Sequence, residues 1–77
     1  MNRLVVVQRV FREVFDNEEL TLTPATARSD IEGWDSVAQV KIVVTLEAEL
    51  GFRFQSEEVS EVKSVGDLLK LLDKHLG

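Results

Sequence analysis

The sequence contains no cysteine and no tyrosine, and it has only one proline, one histidine and one tryptophan. Without cysteine, the chain forms neither a disulfide nor a thiolate metal site. The single histidine, His75, rules out a histidine-rich metal site and offers no evident Ser-His-Asp constellation. We therefore expect neither catalysis nor a metal site, and we expect His75 to complement a helix dipole near the C-terminus. The apolar run at residues 4–7 is too short for a signal peptide or membrane span.

The composition is that of a small soluble domain. The 77 residues are 44% hydrophobic and 30% charged, which predicts one domain over residues 1–77 with a modest core. The initial methionine leads us to expect a free-standing protein. We expect it to be monomeric and cytoplasmic.

The net charge of −5 is concentrated in the middle of the chain. Residues 16–35 carry six acidic residues against one arginine, whereas residues 1–15 carry three arginines against one glutamate. Such a surface is unsuited to nucleic acid, because phosphate binding requires a basic patch. A basic protein surface is the expected partner.

Apolar spacing predicts helices and gives no strand signal. The helices are expected at about 2–15, 36–50, 56–61 (with Ser56 as its cap) and from Ser64 onward, where Ser64 and Asp67 resemble a capping box. Residues 16–35 are expected to form a long loop without regular structure, held down by Leu20, Leu22 and Ile31. The predicted fold is all-α: a small four-helix bundle of three longer helices and one short one, with a long loop between helices 1 and 2.

The second predicted helix carries two apolar stripes. Asp35 and Ser36 are both good N-cap residues, and on local physics alone Ser36 is interpreted as the cap. Gly51 is expected to end this helix. One stripe, formed by Ile42, Val43, Leu46 and Leu50, is expected to face the core. The opposite stripe, Val37, Val40 and Val44, has no obvious use inside a small bundle.

Three motifs occur in a fixed order along the chain. They are Asp35-Ser36-Val37, then Leu46-Glu47-Ala48-Glu49-Leu50-Gly51-Phe52, then Ser64-Val65-Gly66-Asp67-Leu68. Their order and spacing in a short acidic chain resemble the acyl carrier protein family over nearly the whole length. In that family the serine of an Asp-Ser-Leu motif opens the second helix and carries a 4′-phosphopantetheine arm.

The resemblance implies specific partners and roles. A phosphopantetheinyl transferase would transfer the arm from coenzyme A to Ser36. The thiol at the end of the arm would carry the cargo as a thioester. The transferase would recognise Asp35, or Asp35 would help to order the metal and coenzyme of the transferase. Acyl- or aminoacyl-loading ligases and downstream biosynthetic enzymes would be further partners. Val37, Val40 and Val44 would meet them, with Glu47 as the acidic contact, unless neighbouring loops cover Val40.

Several positions depart from carriers of fatty acid synthesis. Ala38 and Lys41 stand where those carriers usually have acids, which predicts a dedicated carrier of a specialised pathway. Trp34 replaces a small or aliphatic residue, and it is interpreted either as an exposed partner anchor or as packing for the long loop. Gln39, on the core side, favours short or polar cargo. The alternatives are an aminoacyl or peptidyl carrier, and an unmodified helical interaction module in which Ser36 is only a cap.

Overall fold

Four α-helices form the regular structure of residues 2–77, which are the residues that the computed structural model describes. The helices are α1 (Arg3–Val14), α2 (Ser36–Leu50), α3 (Ser56–Ser60) and α4 (Val65–Leu76). The prediction of an all-α fold with three longer helices and one short one is confirmed. Helix α1 packs against both α2 and α4. Within residues 2–77, none of the helices is long and apolar enough to cross a membrane.

Both ends of α2 are set by the residues that flank it. At its start, Asp35 has an extended backbone, and its Oδ1 accepts the backbone N–H of Ala38 at 2.9 Å. At its end, Gly51 adopts a left-handed conformation (φ 71°) and donates its N–H to the carbonyl of Glu47. The interpretation of Ser36 as the cap is therefore wrong. Asp35 occupies the cap position, and Ser36 is already the first helical residue.

The core lies between α1, α2 and α4 and includes the predicted stripe of α2. Ile42, Val43 and Leu46 are buried, and Leu50 packs on the edge of the core. The fully buried side chains come from all three long helices and from the segment before α4: Phe11, Ile42, Leu46, Leu68, Leu72, Val7, Val10, Val62 and Val65. Burial of these apolar side chains stabilises the fold.

The long loop between α1 and α2 is more ordered than predicted. Its apolar residues Leu22 and Ile31 are buried, and Leu20 packs against the core, as expected. The loop also contains a 3-10 turn at Arg28–Asp30 and an isolated antiparallel bridge between Ala27 and Ser64. This order depends on contacts with the start of α4, so local sequence patterns do not reveal it.

A close backbone approach fixes the loop to the first turn of α4. The N–H of Gly66 donates to the carbonyl of Pro24 at 2.9 Å. A Cβ at position 66 would lie 2.7 Å from that same oxygen. Glycine is therefore required at this position because any side chain would push the two segments apart.

The capping of α4 follows the predicted pattern, whereas that of α3 does not. Oγ of Ser64 accepts the N–H of Asp67, as expected for a capping box, although the Asp67 carboxylate accepts the N–H of Lys63 rather than that of Ser64. Helix α3, in contrast, is capped by Gln55 rather than by Ser56, and the backbone N–H of Gln55 is bound by Oε1 of Glu58 at 2.9 Å.

Glu58 also connects α3 to the end of α4. Its carboxylate is buried and lies 2.7 Å from Nζ of Lys74 and 2.8 Å from Nε2 of His75. His75 additionally packs against Phe52 and Phe54. The expectation that His75 serves the helix dipole therefore misses its main contacts, which are with the carboxylate and the two rings.

The hydrogen bonds from Lys74, the backbone of Gln55 and His75 lower the pKa of Glu58 from 4.5 to about 2. A carboxylate with a lowered pKa stabilises the folded state above its unfolded pKa, and this contribution disappears as the pH falls from about 4.5 through about 2. We predict that Glu58→Gln lowers the urea midpoint at pH 7 and that the difference from wild type shrinks between pH 4.5 and pH 2. Glu57→Gln, an exposed neighbour, serves as the control. A difference that is independent of pH would contradict the assignment.

Candidate functional site

The Ser36 hydroxyl is exposed at the first position of α2. Because Asp35 supplies the cap, Oγ of Ser36 is not needed for capping, and none of the hydrogen bonds within residues 2–77 uses it. Asp35 also binds the N–H of Gln39 through its carbonyl oxygen. The backbone N–H groups of Ser36 and Val37 lie before the N–H groups of Ala38 and Gln39 in the helix. They have no carbonyl of a preceding turn to bind. The site therefore presents a free nucleophilic oxygen beside the positive end of a helix dipole.

A groove opens beside this hydroxyl, between α2, α3 and the 3-10 turn. We call it the Ser36 groove, and it is lined by Arg28, Ser36, Gln39, Val40, Ser56, Val59 and Ser60. Five of the seven lining residues have polar side chains, with three hydroxyls, one amide and one guanidinium, while most of the lining surface itself is apolar. The polar groups can form hydrogen bonds to an amide-containing ligand.

Arg28 is the basic residue of the groove. Its Nε donates to the carbonyl oxygen of Trp34 at 2.9 Å, which holds the guanidinium close to the start of α2. A positive charge in this place favours a phosphate attached at Ser36, in addition to the effect of the helix terminus. No local sequence pattern marks Arg28 as a site residue, because its position in the Ser36 groove results from the fold of the loop.

The outer face of α2 is apolar and open. Val37, Val40 and Val44 are 64%, 57% and 56% exposed, respectively, so neighbouring loops do not cover Val40. We call these three residues the valine face. Lys41 is also exposed, while Ala38 is buried. Three exposed valines on one helix are unfavourable in water unless another surface covers them.

Trp34 is not part of this exposed surface. It is only 4% exposed, and its ring packs edge-on against Phe11, with the ring centroids 5.0 Å apart. Its Nε1 donates to Oε1 of Gln39 at 2.7 Å. The interpretation of Trp34 as an exposed partner anchor is wrong, and the alternative that it packs the loop against the core is what the structure shows.

Glu47 has a structural contact that the sequence analysis missed. Its Oε2 accepts the N–H of Phe54 at 2.8 Å, which closes the turn between α2 and α3, and the side chain is half-buried. The expected role of Glu47 as an acidic contact for partners stays a prediction.

Comparison with known proteins agrees with this geometry. Residues 5–72 match the family model described as the phosphopantetheine attachment site. The fold is similar to the solution structure of the holo acyl carrier protein from Geobacter metallireducens. The TM-score is 0.89 and the identity 38%, over 99% of this chain and 87% of that one. A candidate acyl carrier protein from Mycobacterium tuberculosis has a TM-score of 0.85 at 16% identity, over 95% of this chain and 97% of that one, and supports the fold alone.

The chain therefore belongs to the phosphopantetheine attachment family and has the acyl carrier protein fold. The cofactor of this family is a covalently attached 4′-phosphopantetheine. The residues of the site fit the group: they provide a free hydroxyl, a helix N-terminus and Arg28 for a phosphate, and a groove with hydrogen-bonding side chains for the amide-containing arm.

Proposed function

We propose that Ser36 carries the 4′-phosphopantetheine arm and that the protein presents acyl cargo to the enzymes of a specialised pathway. The observation that carries this proposal is the exposed hydroxyl of Ser36 at the N-terminus of α2. This hydroxyl does not cap the helix, because Asp35 does. Two other serines have structural roles: Ser64 caps α4, and Oγ of Ser60 donates to the carbonyl of Glu57. The test is the intact mass of wild type and Ser36→Ala after treatment with a phosphopantetheinyl transferase and coenzyme A.

The attachment reaction uses one atom of this chain. Oγ of Ser36 forms a bond to the phosphorus on the pantetheine side of coenzyme A, and the bond from that phosphorus to the leaving adenosine 3′,5′-diphosphate breaks. The hydroxyl proton passes to the transferase. Arg28 and the N-terminus of α2 stabilise the resulting phosphodiester. Asp35 holds the first turn of α2 in place and presents its remaining carboxylate oxygen to the transferase.

The valine face is the docking surface for the transferase in this proposal. An enzyme that acts on Ser36 must cover the adjoining surface, which includes Val37, and Val40 lines the same groove as Ser36. The acidic loop before α2 provides the long-range attraction for a basic enzyme. Lys41 places a positive charge on this helix, which disfavours basic surfaces that are adapted to an all-acidic helix. This charge supports a specialised pathway over general fatty acid synthesis.

Val40→Asn is expected to lower kcat/KM for modification by a broad-specificity transferase by about tenfold, which corresponds to about 1.4 kcal/mol of lost contact energy. The matched control is Val5→Asn on α1, since Val5 is 59% exposed and Val40 is 57% exposed. The control should react at the wild-type rate, and both variants should unfold at temperatures close to that of wild type. Equal rates for the two variants would show that the valine face is not the docking surface.

An aminoacyl carrier is the second candidate function. The hydrogen-bonding side chains of the Ser36 groove and the absence of an acidic row on the exposed face of α2 favour it. Loading assays separate the two candidates. The ligase of an acyl carrier transfers an acyl group without an amino group, whereas the ligase of an aminoacyl carrier transfers an aminoacyl group. An unmodified interaction module predicts no mass gain with any transferase.

A further inference from the structure

Gln39 is a buried polar residue located one turn after Ser36. It is only 5% exposed, although it lines the Ser36 groove. Its position on the inner side of α2 places an amide where the helix otherwise buries Ile42, Val43 and Leu46. A buried amide requires hydrogen-bond partners, and the structure provides them on both of its polar atoms.

The two hydrogen bonds of Gln39 connect three separate parts of the fold. Oε1 accepts Nε1 of Trp34 at 2.7 Å, and Nε2 donates to the carbonyl oxygen of Val59 at 3.1 Å. Trp34 belongs to the end of the long loop, Gln39 to α2 and Val59 to α3. The amide therefore holds α2, α3 and the loop together at the inner wall of the groove. We call this set of three residues the Gln39 bridge.

The Gln39 bridge lies between the groove and the hydrophobic core. On the groove side are the hydroxyls of Ser56 and Ser60, and on the core side the ring of Trp34 packs against Phe11. An aliphatic chain that entered the core from the groove would have to separate α2 from α3. That separation would break both hydrogen bonds and leave a buried indole N–H and a carbonyl without partners. The free energy gained by burying the chain would be offset by these losses.

We propose that the Gln39 bridge keeps cargo out of the helical core, so that the carrier holds short or polar acyl groups in the groove or in solvent. This inference rests on the proposed attachment at Ser36 and specifies the class of cargo. Gln39 is here a specificity-determining residue whose hydrogen bonds go to Trp34 and Val59 and not to Ser36. It acts by closing the space between α2 and α3.

The test compares the protein loaded with an acetyl or an octanoyl group through hydrolysis-resistant amide analogues of the arm. Intact mass first establishes that each group is attached, so a failure of attachment is distinguished from a failure of this inference. Thermal unfolding then gives the stability of each form. We expect the two wild-type forms to differ by less than about 1 °C, because a chain that stays outside the core buries little apolar surface.

Gln39→Met is the variant that opens the bridge, since it keeps the side-chain volume but removes both hydrogen bonds. Its octanoyl form is expected to unfold at least about 4 °C above its acetyl form. Methyl signals of Val43 and Leu46 should shift with octanoyl in the variant and stay unchanged in wild type. Ala48→Met, an exposed position on the same helix outside the valine face, should behave as wild type.

Two results would overturn the proposal. The first is a wild-type protein that is stabilised by octanoyl over acetyl, with shifted Val43 and Leu46 methyl signals. This measurement needs no variant, so it is decisive even if Gln39→Met does not fold. The second is a folded Gln39→Met protein without any chain-length dependence, which would show that the bridge is not what excludes the chain.

Discussion

Ser36→Ala is expected to abolish attachment of the phosphopantetheinyl group completely while leaving the fold intact. The substitution removes the only oxygen to which the phosphorus would bond at this site. Because Asp35 is the cap of α2, losing the hydroxyl should change the free energy of unfolding by no more than about 0.5 kcal/mol. If Ser36 were the cap, the cost would be typically about 1 kcal/mol. The measurement is intact mass after incubation with coenzyme A, magnesium and a broad-specificity transferase, beside an unfolding curve.

The matched controls for this experiment come from the same groove. Ser56 and Ser60 are exposed serines that line it with Ser36, so Ser56→Ala and Ser60→Ala test whether the reaction selects among neighbouring hydroxyls. Both controls should gain one group, as wild type does. A mass gain in folded Ser36→Ala would move the attachment to another residue. No gain in folded wild type with several transferases would favour the unmodified interaction module.

The helices of this protein are encoded by patterns that lie within each segment, which is why their bounds were predictable. The apolar spacing in α1 and α2, the glycine at position 51 and the Ser64–Asp67 pair each act over a few residues of sequence. The location of Ser36 at the start of α2 was predictable for the same reason. Whether Asp35 or Ser36 takes the cap position was not predictable, because the choice depends on the backbone that enters the helix.

The features that shape the groove come from contacts between distant residues. The bond from Glu58 to His75 spans 17 positions, and that from Gln39 to the Val59 carbonyl spans 20. Neither contact has a local pattern, because it is the packing of α3 against α2 and α4 that brings the partners together. Arg28 reaches the start of α2 for a similar reason, through the carbonyl of Trp34. The sequence predicted Ser36 as the attachment residue but did not predict the surroundings that we propose select its cargo.

Trp34→Ala is expected to cause the largest loss of stability among the substitutions considered. The side chain is almost fully buried and packs edge-on against Phe11, and its indole N–H is bound to Gln39. Removing a buried tryptophan costs about 3–5 kcal/mol, because apolar contacts are lost and a cavity remains. A domain of this size has a total stability near the lower end of the usual range, roughly 5 kcal/mol. We therefore expect the variant to be partly or wholly unfolded at 37 °C.

Trp34→Phe separates the packing of the ring from its hydrogen bond. Phenylalanine keeps most of the contact with Phe11 but leaves Oε1 of Gln39 without its donor, which should cost about 1–3 kcal/mol. Val37→Ala, at an exposed position nearby, should stay within about 0.5 kcal/mol of wild type. Trp34 is the only tryptophan, so its fluorescence reports wild-type unfolding directly, whereas circular dichroism serves for the variants. A folded Trp34→Ala protein of wild-type stability that fails only in partner binding would restore the role of Trp34 as a partner anchor and contradict its place in the core.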